Sequence, residues 1–435
     1  MAVVQQRLSL TFLAFFRSKK AEGIVLILMT ALSLTLANST VGAAWIDAWH
    51  AEFAGLSAEH WINDGLMAIF FLLIGLELER ELYNGELSDI RNALLPIAAA
   101  LGGVVVPAAI HYALNAGALT QDGIGIPMAT DIAFALGVLA LLGSSVPASL
   151  KIFLAALAVI DDLCAIIIIA LFYTSDVALG YLFGALAVFG LLVVLNRLRV
   201  IALLPYLVGG ALMWFLMLKS GVHATIAGVL LAFAIPFSAF QDDVKSPSHR
   251  LEHALHRPVA YLILPLFALA NTAIVIEAGW MRELASSNSL GIIAGLVVGK
   301  PLGIVLASLI AVAVGLCRLP LDLGWRHVVG AGFLGGIGFT MSIFIANLAF
   351  PAAPALIVAS KMAILAGSLI AAAFGSLWLL FNGKPTPVDT DPDTMDFGDD
   401  EPDGWSWPYV QCEGSCFRRR LGDAYDDGSS GSRNS

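Results

Sequence analysis

LKIFLAALAVIDDLCAIIIIALFY, residues 150–173, holds Lys151 at its start and the adjacent pair Asp161-Asp162 at its centre, and no other Asp, Glu, Lys or Arg. A helix needs about 20 apolar residues to cross the roughly 30 Å hydrocarbon layer of a bilayer. The stretch is long enough to span, and it places two carboxylates near the midplane. A charge at that depth costs at least about 2.5–3.5 kcal/mol, so an ionisable residue inside a span is a functional candidate by default.

The surrounding chain has the composition this reading requires. Of 435 residues, 59% are hydrophobic and 13% charged, and the mean hydropathy is +0.85. Soluble domains carry about 25% charged residues, which excludes a water-soluble globule. Apolar windows bounded by charged, Gly or Pro positions fall at 22–38, 60–83, 94–115, 123–143, 150–173, 178–196, 201–218, 221–236, 258–276, 289–314, 327–349 and 355–382. The expected fold is therefore an all-α membrane protein with twelve transmembrane helices. With the amino end in the cytoplasm, fourteen Lys and Arg, among them Arg17, Lys19, Lys20, Arg80, Arg197 and Arg250, fall on the cytoplasmic side. Only Lys219 and Arg282 fall on the other. That asymmetry places both termini in the cytoplasm.

Three regions follow. Residues 1–21 read as a retained cytoplasmic segment, because they lack a small-residue cleavage site. Residues 22–382 hold the spans. Residues 383–435 hold 12 acidic and 5 basic residues and are too polar to offset the entropy of ordering, so a disordered acidic tail is expected there. Its Trp405 and Trp407 can rest on a membrane surface or belong to a dispensable extension. Nothing in the charge balance suggests a nucleic-acid footprint, which would need Lys and Arg clustered on one face. Neither a disulfide framework nor a zinc signature follows from Cys164, Cys317, Cys412 and Cys416.

The remaining intramembrane charges are Asp131, Lys300 and Lys361. Adjacent helical positions diverge by about 100°, so Asp161 and Asp162 cannot point the same way. Desolvation and mutual repulsion favour a proton on at least one of them, and carboxylate oxygens also suit a small hard cation. A structural ion pair with Lys300 is the plain alternative; it accounts for one carboxylate and leaves the other without a partner.

Asp131 follows Gly123, Gly125 and Pro127 within span four, and span eleven carries Gly335-Gly336-Ile337-Gly338-Phe339-Thr340. Both patterns read as helices broken near midspan, tolerable only where protein or water satisfies the backbone. Two broken spans seven apart have opposite topology, which points to inverted-topology repeats with discontinuous crossing helices at spans four and eleven. Crossing breaks bring two amino ends and two carboxyl ends together, each worth about half a charge. Asp131 and Lys300 are available to neutralise them, while Thr130 can offer a hydroxyl to an ion or fill space. Lys361 reads as structural, since a long side chain can snorkel or meet a carbonyl. Asp64 lies near the outer end of span two. At its other end Glu77 and Glu81 share a helix face, either as a solvated end or as a cation-attracting funnel. Glu252, His253 and His256 fall in the loop before span nine, where histidines can titrate near neutrality, and His223 reads as interfacial.

These residues resemble the NhaA-type bacterial Na+/H+ antiporters over about residues 10–382. The likeness is carried by FFLLIGLE (70–77), ATDIAFALGVLALLG (129–143), IDDL (160–163), KSGVHAT (219–225), YLILPLFA (261–268), GKPLGI (299–304) and GIGFTMSIFIA (336–346). The family is itself a standard example of the inverted-repeat arrangement. The resemblance implies twelve helices with spans four and eleven unwound and crossing. It implies that Asp161 and Asp162 bind Na+ and protons beside Thr130, and that Asp131 and Lys300 compensate the half-helix ends. It further implies a pH-response region at Glu77, Glu81, Glu252, His253 and His256, and a homodimer contact through the loop 39–59. The activity implied is electrogenic exchange of one cytoplasmic Na+ or Li+ for two external protons across the inner membrane, switched on at alkaline pH. The ions are cargo, and no cofactor is implied. Two departures stand out: Glu79 where the best-known members carry Lys, expected to make the cytoplasmic mouth more acidic, and the 53-residue tail, to which no role is assigned.

Rival classes are weaker. A channel lacks a recognisable filter here; a symporter on a similar scaffold predicts solute moving with Na+; an intramembrane aspartyl protease needs two aspartates sharing a proton across helices, whereas adjacent ones on a single helix point apart.

Overall fold

The structure, a computed structural model, describes residues 19–88, 90–143, 146–174, 177–237 and 246–384. Most of the amino-terminal segment, with Arg7 and Arg17, and all of the tail from residue 385, with Trp405, Trp407, Cys412 and Cys416, lie outside the described residues. The described part is helical apart from one two-residue hairpin, Glu52–Phe53 against Leu56–Ser57, turned through Ala54 and Gly55 at positive φ.

In chain order the helices are α1 Lys19–Ala37, α2 Gly42–His50, α3 Ala58–Tyr83, α4 Ile90–Asn115, α5 Ile132–Leu141, α6 Ala148–Phe172, α7 Leu179–Arg197 and α8 Leu203–Ser220. They continue with α9 Ile226–Ala234, α10 Pro247–Asn271, α11 Trp280–Leu284, α12 Ser287–Ala313, α13 Trp325–Gly335, α14 Phe339–Ala349 and α15 Pro354–Asn382. Among the described residues nine helices are long and apolar enough to cross a membrane, or eleven when each of two bent pairs counts as one. The first pair is the 3₁₀ helix Leu119–Met128 with α5, bent by 44°; the second is α13 with α14, bent by 46°. The eighth window of the sequence reading contracts to α9, nine residues and so about 13 Å of helix, against the roughly 30 Å a span covers.

One expectation is corrected. Glu252, His253 and His256 lie on α10 and not in a loop, because the helix begins at Pro247, eleven residues before the window read from hydropathy. Ser246 caps it by accepting from the His249 N–H at 3.2 Å, with proline at the first helical position; both are ordinary helix-start signals. Pro258 inside the helix is accommodated by a π-helical turn over Val259–Ile263.

Large apolar side chains such as Leu204, Phe183 and Leu369 are more than 60% exposed, the coat expected of helices whose outer faces meet lipid. Inside, one apolar core gathers residues of α1, α3 to α6, α10 and α12 to α15. A smaller one gathers α3 and α7 to α10. Within the larger core α12 meets α4 across Gly295, Gly299 and Gly303. Added Cβ atoms there would lie 2.6 Å from Pro127, 2.9 Å from Pro107 and 2.1 Å from the Gly102 carbonyl oxygen. Small residues four apart let two helix backbones approach without a hydrophobic driving force in lipid. The contact brings Lys300, fully buried between Gly299 and Gly303, up to the first helix break. Gly303→Ala is therefore expected to force α4 and α12 apart and cost about 1–3 kcal/mol, read as a lowered melting midpoint in detergent; an unchanged midpoint would show that the approach is slack.

Candidate functional site

The two breaks meet in the middle of the molecule. After Met128 the chain runs extended through Ala129 and Asp131 before α5 begins. The Asp131 N–H donates to the Ile337 carbonyl at 2.7 Å, in the gap between α13 and α14. Ser342 Oγ donates to the Ile126 carbonyl at 2.7 Å, tying the second break to the first half-helix. Gly and Pro make both breaks possible locally; the reciprocal bonds satisfy the backbone groups that the breaks release.

Asp131 stands at the two amino ends. Its Oδ1 accepts from the Phe134 N–H at 2.9 Å, capping α5, and its Oδ2 accepts from the Thr340 N–H at 3.1 Å and from the Thr340 hydroxyl, capping α14. A carboxylate at one helix amino end is favourable, and here one serves two. The carboxyl ends find different partners. Lys300 Nζ donates to the Met128 carbonyl and to Asp161 Oδ2. The Gly335 carbonyl, at the end of α13, lies 2.7 Å from Thr130 Oγ1, which is also 2.5 Å from Asp161 Oδ2. A hydroxyl has one proton, so Thr130 donates to one of these at a time.

Asp161 and Asp162 diverge as adjacent helical positions must. Asp161 faces Lys300 and Thr130. Asp162 is fully buried, and neither of its oxygens has a hydrogen-bond partner among the described residues; Asp161 Oδ1 is likewise unpartnered. A buried carboxylate without partners is costly as an anion. Among the described residues no group of three or more His, Cys, Asp and Glu gathers as a metal cluster. The oxygen donors available to a small cation are the aspartate pair, Thr130 and the freed carbonyls.

Other candidates separate into distinct places. At one end of α3, Arg80 donates to Glu252 and, at 3.3 Å, to Glu81, while His249 Nδ1 lies 3.6 Å from Glu252. Glu77 is half-buried on the same helix, His256 is half-buried on α10, and His253 is exposed. Glu79 departs from its expected role at the mouth: it is 5% exposed and accepts from Ser248 Oγ at 3.1 Å. His223 lies 2.8 Å from the Tyr173 carbonyl and Asp64 lies 2.8 Å from His60, both away from the breaks. Lys361 does meet a carbonyl, that of the Asn271 side chain at 3.2 Å.

Sequence reading had missed Thr340, Arg80, His249 and Ser248 as partners. Arg80 and His249 had a signal, being charged or titratable near acids already named. The hydroxyls had none, because a Thr or Ser in a span is ordinary until a second helix reaches it. Asp131→Ala is expected to lower stability by on the order of 2 kcal/mol, the loss of two caps, with Asp131→Asn losing less since one acceptor remains. Melting midpoints of the two variants in the same detergent check the order.

A family model described as Na+/H+ antiporter 1 matches residues 13–379. The Na(+)/H(+) antiporter NhaA of Dechloromonas aromatica is 71% identical over 382 residues, 88% of this chain and 98% of the relative. The Na(+)/H(+) antiporter NhaA 1 of Flavobacterium johnsoniae is 58% identical over 375 residues, 86% of this chain and 98% of the relative. The Na(+)/H(+) antiporter NhaA of Mesorhizobium japonicum is 50% identical over 382 residues, 87% and 96% of the two chains. With crossing helix breaks around a buried aspartate pair, and with likeness over most of its length, this multi-pass membrane chain belongs to the Na+/H+ antiporter 1 family.

Proposed function

We propose that the protein exchanges cytoplasmic Na+ or Li+ for external protons across the bacterial inner membrane, by alternating access around Asp161 and Asp162. The observation that carries this reading is the unequal pair. Asp161 is held by Lys300 and Thr130, while Asp162 beside it is buried with both oxygens unpartnered. Oxygen donors so arranged suit a proton or a small hard cation. The relatives' names, Na(+)/H(+) antiporters, support Na+ and H+ as the exchanged ions.

In this reading Na+ entering beside Asp161 competes with the Lys300 ammonium for the same carboxylate oxygen, and its arrival makes an additional proton on Asp162 unfavourable. Binding of Na+ and of protons is then mutually exclusive. If two protons leave for one Na+, net charge moves in each cycle, and transport responds to membrane voltage. Asp131 keeps the half-helix amino ends neutral while the inverted repeats rock. The eighth crossing is supplied by α9 with the turn residues 221–225, irregular backbone being tolerable where other helices bury it. Twelve crossings put both termini in the cytoplasm.

Regulation by pH is assigned to Glu77, Glu81, Glu252, His253 and His256, of which Glu81 and Glu252 are bonded by Arg80 where it bridges α3 and α10. A homodimer is assigned to the loop 39–59. Its hairpin leaves Phe53 75% exposed and has unpaired strand edges, which a second copy can cover.

Asp161→Asn and Asp162→Asn should each abolish Na+-dependent proton flux in everted vesicles, and near-normal flux in both would refute the site. Lys300→Ala should lower the melting midpoint as well as the exchange rate. Removing one partner of a buried ion pair leaves an uncompensated charge, at about 3–5 kcal/mol. A midpoint equal to that of the parent chain would remove the structural share of Lys300.

A further inference from the structure

A second buried polar cluster lies apart from the ion site, at the Asn63 end of α3. Asn271, the last residue of α10 and 1% exposed, uses all of its hydrogen-bonding capacity. Its Nδ2 donates to Asn63 Oδ1 at 2.7 Å and to the Phe267 carbonyl at 3.1 Å. Its Oδ1 accepts from Asn347 Nδ2 at 2.7 Å and from Lys361 Nζ at 3.2 Å. Lys361 is 7% exposed, and its ammonium also lies 3.8 Å from Glu59, whose side chain is 29% exposed. One amide thus joins four helices: α3 and α10 through Asn63 and itself, α14 and α15 through Asn347 and Lys361.

The placement matters because α3 and α10 run antiparallel and are tied to each other at both ends, by Asn63 to Asn271 at one and by Arg80 to Glu252 at the other. The Asn271 hub adds direct side-chain bonds from that pair to α14, which is half of a broken span. Along α14 the order is fixed by the chain. Thr340 bonds Asp131 at the break, Phe344 follows one turn on with its ring against Phe71 and Phe267, and Asn347 follows next. From Thr340 to Asn347 is about 10 Å of helix. The hub therefore lies between the ion site and the molecular face at Glu59.

We propose that Lys361, Asn271, Asn347 and Asn63 form a polar latch that closes the path from the ion site to the Glu59 face, and that Lys361 is its positioning residue. This rests on the alternating-access reading above. A buried ammonium is tolerable only with its partners in place. Lys361 therefore favours the state in which α14 and α15 are held against α3 and α10, and it must exchange these partners for water when that face opens. It also puts a positive charge across the path of a cation while the latch is shut.

The test uses the full chain with its four cysteines replaced by serine and Phe344→Cys as reporter, in vesicles whose Glu59 face is outside, labelled by a membrane-impermeant maleimide. Lys361→Met is expected to speed external labelling by about tenfold or more, roughly the bias released by losing one charged hydrogen bond, and Lys361→Arg should restore the parent rate. Asn347→Ala and Glu59→Gln, which leave the lysine in place, should each give a smaller rise and keep the proposal testable if Lys361→Met fails to fold. A purely structural lysine predicts a lowered melting midpoint with no change in labelling, and no acceleration in any folded variant overturns the latch. Na+-driven proton release by the parent chain is measured in parallel. Its absence overturns the exchange reading, whereas its presence beside unchanged labelling overturns the latch alone.

Discussion

A charge buried in a membrane-spanning bundle must find its counter-charge or its hydrogen bonds inside the protein, and that demand organises the centre of this molecule. The two helix breaks release backbone N–H and C=O groups at midspan, where no water waits for them. Asp131 takes the amino ends of both second halves, Lys300 takes the Met128 carbonyl, and Thr130 reaches the Gly335 carbonyl. Each group that neutralises a break is itself a buried polar residue, so breaks and charges sustain one another. Against this saturated background the two bare oxygens of Asp162 stand apart. Under the exchange proposed above, a site that holds and releases small ions needs a member that the protein leaves unsatisfied.

The apolar packing serves the same end. Gly295, Gly299 and Gly303 remove side chains from the face of α12 that meets α4, and the resulting close approach places the long lysine stem of residue 300 within reach of the break. Larger residues on that face would move the ammonium away from Asp161. Polar contacts between α3 and α10 at their two ends differ in kind. The Arg80 cluster joins those helices to each other, while the Asn271 hub also holds α14 and α15.

Much was legible beforehand because a bilayer leaves few options: apolar length marks a span, and an ionisable residue within one is rare enough to name. Asp161, Asp162, Asp131 and Lys300 stand out that way as candidates, and Gly and Pro at Gly123 to Pro127 and Gly335 to Gly338 mark the two bends. The reading was weakest where hydropathy is the wrong ruler. Residues 247–257 are polar and looked like a loop, yet the Ser246 cap and Pro247 start a helix there. Glu79, expected at an acidic mouth, is buried against Ser248, since a charged residue near a helix end can turn inward when a hydroxyl meets it.

What the sequence determined by itself is a membrane-spanning helical chain with paired carboxylates at midspan and two interrupted helices, because those follow from local composition and from the thickness of hydrocarbon. Tertiary structure alone decided which aspartate meets Lys300 and which is left bare. It also decided that one carboxylate caps two helices, and that Asn271 ties four segments whose numbers lie up to 298 positions apart. Those outcomes depend on the azimuth of each helix about its axis and on the crossing of distant breaks, which no local pattern encodes.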